Sequence, residues 1–309
     1  LDSLSGAVLA LDSGNALFRN GGAATDDDKA RAHFILDVMG REGVRAMAVG
    51  ARDVSGGLDF LLAEGKRSKV KLLSANLKRG GVAVFDAAVV LDVSGLKVAV
   101  VGVSAPGPLV PNATDVVAEP TVAAVKAALA KLGKRDLTVV LSATTYADAM
   151  QLAGALKGQA DFVIQSGEFR GTQPPQLIDG TDVYLLASGQ RGQALGKLQL
   201  DLGSGSGPFV DLSSVDRDRQ QLEFVSSQLK TLEQRLAAVK DQGIAGDLKK
   251  ARDQLRARED SLKKAVAAPV AKGARSLKLD WVVLGSDLKD DPALKAEVLK
   301  FEPSFAGQH

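Results

Sequence analysis

The chain has 309 residues, 45% of them hydrophobic and 25% charged, a globular composition with room for one large domain or two smaller ones. Its 39 Lys and Arg against 37 Asp and Glu leave a net charge of +2, which predicts no pull toward nucleic acid or an anionic membrane. Cysteine is absent and the only two histidines are His33 and His309, so disulfides and thiolate sites are excluded and imidazole chemistry has little to draw on.

Along 7–202, short apolar runs alternate with helical patterns. Segments 7–11, 45–49, 71–74, 97–103, 137–141 and 162–164 read as buried strands, being short, rich in β-branched residues and bounded by turn residues. Between them, 28–40, 57–62, 120–132 and 146–156 carry apolar residues at three- and four-residue spacing, the mark of an amphipathic helix. Thr25 or Asp26 caps the first helix, and Pro120 suits the start of the third. This alternation predicts an α/β sandwich with a largely parallel sheet. Segments 82–93 and 96–103, joined by Ser94-Gly95, read as a hairpin, and 183–187 with 195–202 as another neighbouring pair.

The run 203–207 (GSGSG) reads as a flexible linker, since no Lys-Ser/Thr or GxGxxG context makes it a phosphate loop. Beyond it, Leu222, Val225, Leu229, Leu232, Leu236 and Val239 form a heptad seam. Gly243 and Gly246 interrupt that seam. Leu248, Ala251, Leu255 and Leu262 resume it more weakly, with Arg258 at a position that should be apolar. Two helices around a short glycine-containing turn make an antiparallel coiled-coil hairpin over 215–266, with arms of about 30–40 Å. Either it buries its own seam within the chain, or it is an arm for a protein partner or for self-assembly. Pro269 stops the second helix, 276–284 is a strand containing Trp281, and Asp291-Pro292 opens a last helix to about residue 301. A strand this apolar needs a sheet, which predicts its return to the first domain with Trp281 buried there. The expected organisation is an α/β domain over 1–203, linker and inserted hairpin over 204–272, and a returning strand and helix over 273–309. No apolar run reaches the roughly 18 residues needed to span a bilayer, so no transmembrane segment is expected. Leu1 stands without a preceding Met or a signal pattern, so the start is expected to lie inside a longer or processed product.

Seven segments in order resemble the 5′-nucleotidase branch of the calcineurin-like metallophosphoesterases. Leu11-Asp12-Ser13-Gly14-Asn15-Ala16-Leu17 is similar to the family's strand ending in Gly-Asp, and 43–61 to the stretch around Gly-Asn-His-Glu. Leu72-Leu73-Ser74-Ala75-Asn76-Leu77 resembles its LSAN strand end, and 98–104 the strand that follows. Segment 136–143 resembles the strand ending in Ser-His, 160–170 the strand leading to Gly-His-x-His, and 187–198 the loop and strand after it. The resemblance implies a metallophosphoesterase-like α/β sandwich in which Asp, Asn and His at strand ends hold two divalent metals that activate water. It also places the ligands: Asn15 stands for the bridging Asp, Ala51-Arg52 for Asn-His, Ala143 for a His, and Glu168 and Arg170 for the last two His. The Asp-x-His of the family's first strand has no counterpart.

Ala offers no donor atom, neutral Asn bridges poorly and Arg brings positive charge, so no metal and no other cofactor is expected at this degenerate site. Arg52 and Arg170 stand beside Asp53 and Glu168. The pairs read as ion pairs that replace the metal charge, as an anion or phosphate site with Arg191 added, or as solvated surface. His33 reads as a helix-surface residue, and Asp26-Asp27-Asp28 as loop and helix-start charge, lacking an EF-hand's spacing. Ser142 and Ser166 lack a neighbouring base and an elbow motif. The expected function is a catalytically inactive scaffold or interaction module, exported to the periplasm, cell envelope or outside as the resemblance implies. The alternative is a phosphate- or nucleotide-binding protein or a remodelled phosphohydrolase.

Overall fold

The computed structural model describes residues 6–109, 115–168, 171–187, 192–204, 207–267, 273–285 and 287–302. The chain divides into two compact units, residues 1–196 with 281–309, and residues 197–280.

The first unit begins with strand β1 (Ala10–Asp12), helix α1 (Asp26–Arg41), strand β2 (Val44–Ala48), helix α2 (Leu58–Arg67) and strand β3 (Lys71–Leu73). The strands form a parallel sheet in the order β1-β2-β3. Thr25 starts α1 with a capping box: its hydroxyl accepts from the Asp28 amide, and the Asp28 carboxylate accepts from the Thr25 amide. The acids Asp26, Asp27 and Asp28 fill the first turn, where the helix dipole favours negative charge. Leu36, Met47, Leu58 and Leu61 form the core beneath the two helices. His33 sits half-exposed on α1 with Nδ1 2.7 Å from the buried Glu64, a surface role as expected.

The chain then runs through β4 (Leu77–Arg79), β5 (Val82–Ala83), β6 (Ala88–Val93), β7 (Leu96–Ser104), β8 (Gly107–Pro108), β9 (Val116–Ala118), α3 (Thr121–Ala130) and β10 (Leu137–Ala143). After these come α4 (Tyr146–Ala155), β11 (Phe162–Gln165), β12 (Gln176–Leu177) and β13 (Tyr184–Ala187). The main sheet has the order β12-β13-β11-β10-β7-β6. Its centre is parallel and its two edges are antiparallel. Both hairpin residues, Ser94 (φ 53°) and Gly95 (φ 86°), are left-handed, the type I′ geometry that suits the strand twist. Segment 82–93 is not one strand, however: β5 pairs with β4 and β6 with β7. Helices α3 and α4 cover the main sheet through Val125, Leu129, Leu152 and Leu156. The two sheets approach at Gly102, where a Cβ would lie 2.4 Å from the Leu73 carbonyl oxygen. Helix α7 (Pro292–Phe301) closes this unit. Phe301 stacks on Phe34 at 4.8 Å, and Glu297 takes both ends of the Arg41 fork.

The second unit holds most of a sheet ordered β14-β16-β15, from β14 (Ala194–Asp201), β15 (Val210–Asp211) and β16 (Ser276–Val283). So β14 pairs with β16 and not with β13, which corrects the neighbouring pair expected for 183–187 and 195–202. Periodicity marks a strand but does not name its partner. Gly203 is more than linker: a Cβ there would lie 2.3 Å from the Gly273 oxygen, and Ser204 N–H donates to that oxygen at 3.1 Å. Leu277 and Phe209 are buried, and Arg275 stacks over the Phe209 ring at 4.0 Å.

Between these strands run α5 (Leu212–Ala238) and α6 (Gln242–Ala267). Ser226 bonds Glu259 and Glu233 pairs with Arg256, so partner numbers fall on one helix as they rise on the other, and the two run antiparallel. Val225, Leu229 and Leu262 are buried. Gly243 and Gly246 do not make the turn. They lie inside α6, and the connection is 239–241, where Asp241 accepts from the amides of Gly243 and Ile244. An aspartate cap outcompetes the glycines' helix-breaking tendency. Arg258 is exposed and Glu259 turns inward instead. Trp281 is half-buried rather than buried, its indole donating to the Gln173 carbonyl at 3.2 Å.

Candidate functional site

Loops after β1, β2, β10 and β11 meet at the carboxyl ends of these strands in the first unit. The loop after β1 turns at Gly14 (φ 95°) and Asn15 (φ 63°). Gly14 is required twice, by its left-handed backbone and because a Cβ would stand 2.5 Å from the Ala48 oxygen, where no L side chain fits. Asn is among the residues that tolerate the left-handed region. The loop after β2 carries Ala51, Arg52 and Asp53. A Cβ on Gly50 would lie 2.4 Å from Asn15 Oδ1, so the Asn15 side chain lies flat on the Gly50 backbone.

Asp53 organises this corner. It is fully buried and accepts from the backbone N–H groups of Asn15 (2.7 Å), Gly50 (2.8 Å) and Leu17 (3.0 Å). Burial raises its pKa, and those amide bonds act in the opposite direction. Asn15 Oδ1 in turn accepts the Arg52 N–H at 3.0 Å. The Arg52 guanidinium donates to the Arg19 carbonyl at 3.3 Å. The ion pair expected between Arg52 and Asp53 is therefore not what holds this loop. A carboxylate one residue from an arginine turned inward to amide donors while the guanidinium stayed near water, which spares the desolvation cost of burying both charges.

A second acid lies just behind. Asp12 accepts from the Gly14 N–H at 2.7 Å. Its pKa is raised to about 6, chiefly by burial, with the Asp53 charge adding to the rise and the Gly14 bond opposing it.

The third loop system comes from β10 and β11. Ala143 is buried beside Gly14, and a Gly14 Cβ would lie 3.1 Å from the Ala143 Cβ. Ser166 Oγ donates to the Ser13 carbonyl, and Ser166 N–H to the Ser142 carbonyl at 3.1 Å. Glu168 is exposed and accepts from the Tyr146 N–H at 3.1 Å, at the start of α4. Asn15, Ala51, Arg52 and Asp53 thus share one corner, Ala143 adjoins it, and Glu168 lies on the same loop edge. Arg170 and Arg191, with the anion role assigned to them, lie outside the described residues. Ser142 Oγ is bonded to Thr144 Oγ1 at 2.8 Å.

Sequence reading missed the network that joins the sheets. Buried Asn76 donates to the carbonyls of Ser104 and Glu119 and accepts from the Ser104 N–H and the Ser74 hydroxyl. Ser104 Oγ reaches the Val49 carbonyl at 2.6 Å. The signal was present in the polar Ser-Ala-Asn that ends an apolar strand, since a buried amide must be fully bonded. Asp12 was missed in the same way, as a lone carboxylate between an apolar strand and a glycine.

The donor chemistry does not suit a pair of divalent metals. Ala51 and Ala143 supply no ligand atom, Asn15 Oδ1 is already an acceptor for Arg52 N–H, and Asp53 is enclosed by amide donors. Among the described residues no three His, Cys, Asp or Glu side chains are grouped to hold a metal.

No family model and no curated sequence matches the chain. Solved structures do. It is similar to Thermus thermophilus sulfate thiohydrolase SoxB at 19% identity and TM-score 0.54, over 62% of this chain and 36% of that one. It is similar to a putative 5′-nucleotidase from Staphylococcus aureus at 16% identity and TM-score 0.51, over 62% of this chain and 42% of that one. A calcineurin-like phosphoesterase, YfkN of Bacillus subtilis, aligns at 16% identity and TM-score 0.51, over 64% of this chain and 73% of that one. The likeness is one of fold: the chain shares the fold of a sulfate thiohydrolase, a putative 5′-nucleotidase and a calcineurin-like phosphoesterase. The chain spans well under half the length of the first two.

Proposed function

We propose that the chain is a catalytically inactive metallophosphoesterase-fold module that serves as a scaffold for protein contacts. The observation that carries this reading is Asp53. In a metal-dependent site the strand-end loops are drawn together by cations that cancel the ligands' charge. Here three backbone amides converge on one internal carboxylate, so the loops are held closed by the chain itself. Ala51 and Ala143, which carry no ligand atom, and Arg52, a fixed cation, support it on the same edge.

In this reading 204–272 is an insertion whose paired helices, over 215–266, form the contact arm, and 273–309 returns to the α/β fold. Phe224 and Ile244 on those helices are exposed, as contact residues would be. Export to the periplasm, cell envelope or outside belongs to the same proposal and rests on resemblance. No helix among the described residues is long and apolar enough to cross a membrane.

A second reading, phosphate or nucleotide binding with or without remodelled hydrolysis, draws on Arg52, whose guanidinium is bonded to a single main-chain carbonyl, together with Arg170 and Arg191. One experiment separates the scaffold from a remodelled phosphohydrolase. The purified chain is assayed for bound Mn, Fe, Zn and Mg by mass spectrometry, and for hydrolysis of nucleotides and bis-(p-nitrophenyl) phosphate. The scaffold reading expects substoichiometric metal and background hydrolysis. Two metals per chain, or turnover abolished by Arg52→Ala, would defeat it.

A further inference from the structure

Asn20 and Gly21 lie in the loop between the degenerate site and α1, and both are exposed. Of the four asparagines, Asn15, Asn20, Asn76 and Asn112, only Asn20 precedes a glycine. Gly21 has no heavy atom of the rest of the chain within 4 Å of the place a Cβ would take, so it stands in open space. The loop is pinned by one residue at both ends: Ser55 Oγ donates to the Asn20 carbonyl at 3.2 Å, and the Ser55 carbonyl accepts from the Ala24 N–H at 3.3 Å. Gly21 and Gly22 between them are free to turn, Gly22 already lying at φ 128°.

This geometry points to Asn20 as a site of spontaneous covalent modification through a cyclic imide. Hydroxide removes the proton from the Gly21 amide, and that nitrogen attacks the Asn20 side-chain carbon Cγ. The new C–N bond closes a five-membered ring, the Cγ–Nδ2 bond breaks, and Nδ2 leaves as ammonia with a proton from water. Water then opens the ring at either carbonyl to leave aspartate or isoaspartate. The closure is intramolecular, so proximity replaces a second reactant.

Two features beyond the dipeptide favour it. The Ser55 hydroxyl donates to the carbonyl of the very amide that must lose its proton, which stabilises the anion as a preorganised donor does. The Arg52 guanidinium is bonded one residue earlier, at the Arg19 carbonyl, and adds positive potential. The other described asparagines lack these conditions. Asn15 precedes Ala16 and holds the Arg52 N–H, while Asn76 precedes Leu77, is fully buried and is bonded at both its amide atoms. The product places a carboxylate beside Arg19 and Arg52. In its isoaspartyl form the chain runs through Cγ, and the residue-20 carbonyl that Ser55 holds leaves the backbone as a carboxylate.

The test is peptide mapping by mass spectrometry of the full chain aged in mildly alkaline buffer, wild type beside Ser55→Ala and Gly21→Ala. Amide-to-acid conversion should be confined to Asn20 with Asn15 and Asn76 intact. Ser55→Ala should slow it about threefold, the worth of one hydrogen bond, and Gly21→Ala should slow it about tenfold or more by blocking the nitrogen. Urea-unfolded wild type and Ser55→Ala should react at equal rates, which separates the bond from any effect of folding. Conversion at Asn15 or Asn76 as fast as at Asn20 would overturn the assignment. So would a folded Ser55→Ala chain that reacts at the wild-type rate.

Discussion

The loop corner around Asp53 and the pair of helices α5 and α6 are built on opposite plans. At the corner, residues from distant parts of the chain are buried together, and one carboxylate answers three amides at 2.7–3.0 Å. In the helices almost everything is local. Only Val225, Leu229 and Leu262 of the seam are buried, and exposed pairs such as Arg256–Glu233 and Arg219–Asp216 line the surface. Exposed pairs are worth little each, and long helices gain from propensity and packing of one stripe. A substitution at the corner therefore removes several interactions at once, whereas one in the helices removes a single small increment.

The largest break should come from Asp53→Ala. It leaves three buried N–H groups without an acceptor, each costing about 1–3 kcal/mol, so the first unit should lose about 3–4 kcal/mol in urea titration followed by Trp281 fluorescence. A loss below about 1 kcal/mol would mean that water replaces the carboxylate and that the corner is not self-contained. Gly50→Ala comes next. Its Cβ would meet Asn15 Oδ1 at 2.4 Å, and overpacking of this kind costs about 1–3 kcal/mol, read from the same titration.

Asp12 sharpens the comparison through pH. Its pKa rises on folding from 3.8 to about 6, so the folded chain holds the proton more tightly than the unfolded one. Stability tied to Asp12 is full below about pH 4, falls as pH rises toward about 6, and is flat beyond. Asp12→Asn keeps an acceptor for Gly14 and cannot ionise, so it should flatten that slope and raise stability at pH 7 by about 3 kcal/mol. An unchanged slope would reassign the titration to another group. The smallest effect belongs to the helices. Ser226→Ala removes the bond to Glu259, and its cost should be about 0.5–1 kcal/mol, seen as a small drop in the helical melting signal.

The same contrast explains what could be read from the residues alone. Locally encoded features were legible: the Thr25 cap, the left-handed Ser94-Gly95 turn and the alternation of strands and helices over 26–73. What failed depended on partners far along the chain. The alternation in 195–202 marks a strand equally well beside β13 or beside β16, and only the second is found. Asp53 was read as the mate of its neighbour Arg52, because adjacency is visible in a sequence and a ring of backbone donors is not. Gly243 and Gly246 looked like a turn because propensity was weighed without the Asp241 cap. The motif segments located the strand-end loops, but not the network from Asn76 to Ser104 that locks the two sheets.

The crossing of Gly203 and Gly273 has a topological consequence. The Ser204 N–H and the Gly273 carbonyl are one hydrogen bond apart, so the stretch of chain between them leaves and returns at the same point. A segment with touching ends adds little closure entropy whatever its length. Strand β15 lies inside that stretch and pairs with β16, so the cassette is the helical part beyond Asp211, where a segment of different length could be spliced in without moving the strands. Variation in helix length would then be tolerated between 204 and 273 far more readily than a single added methyl group at Gly203.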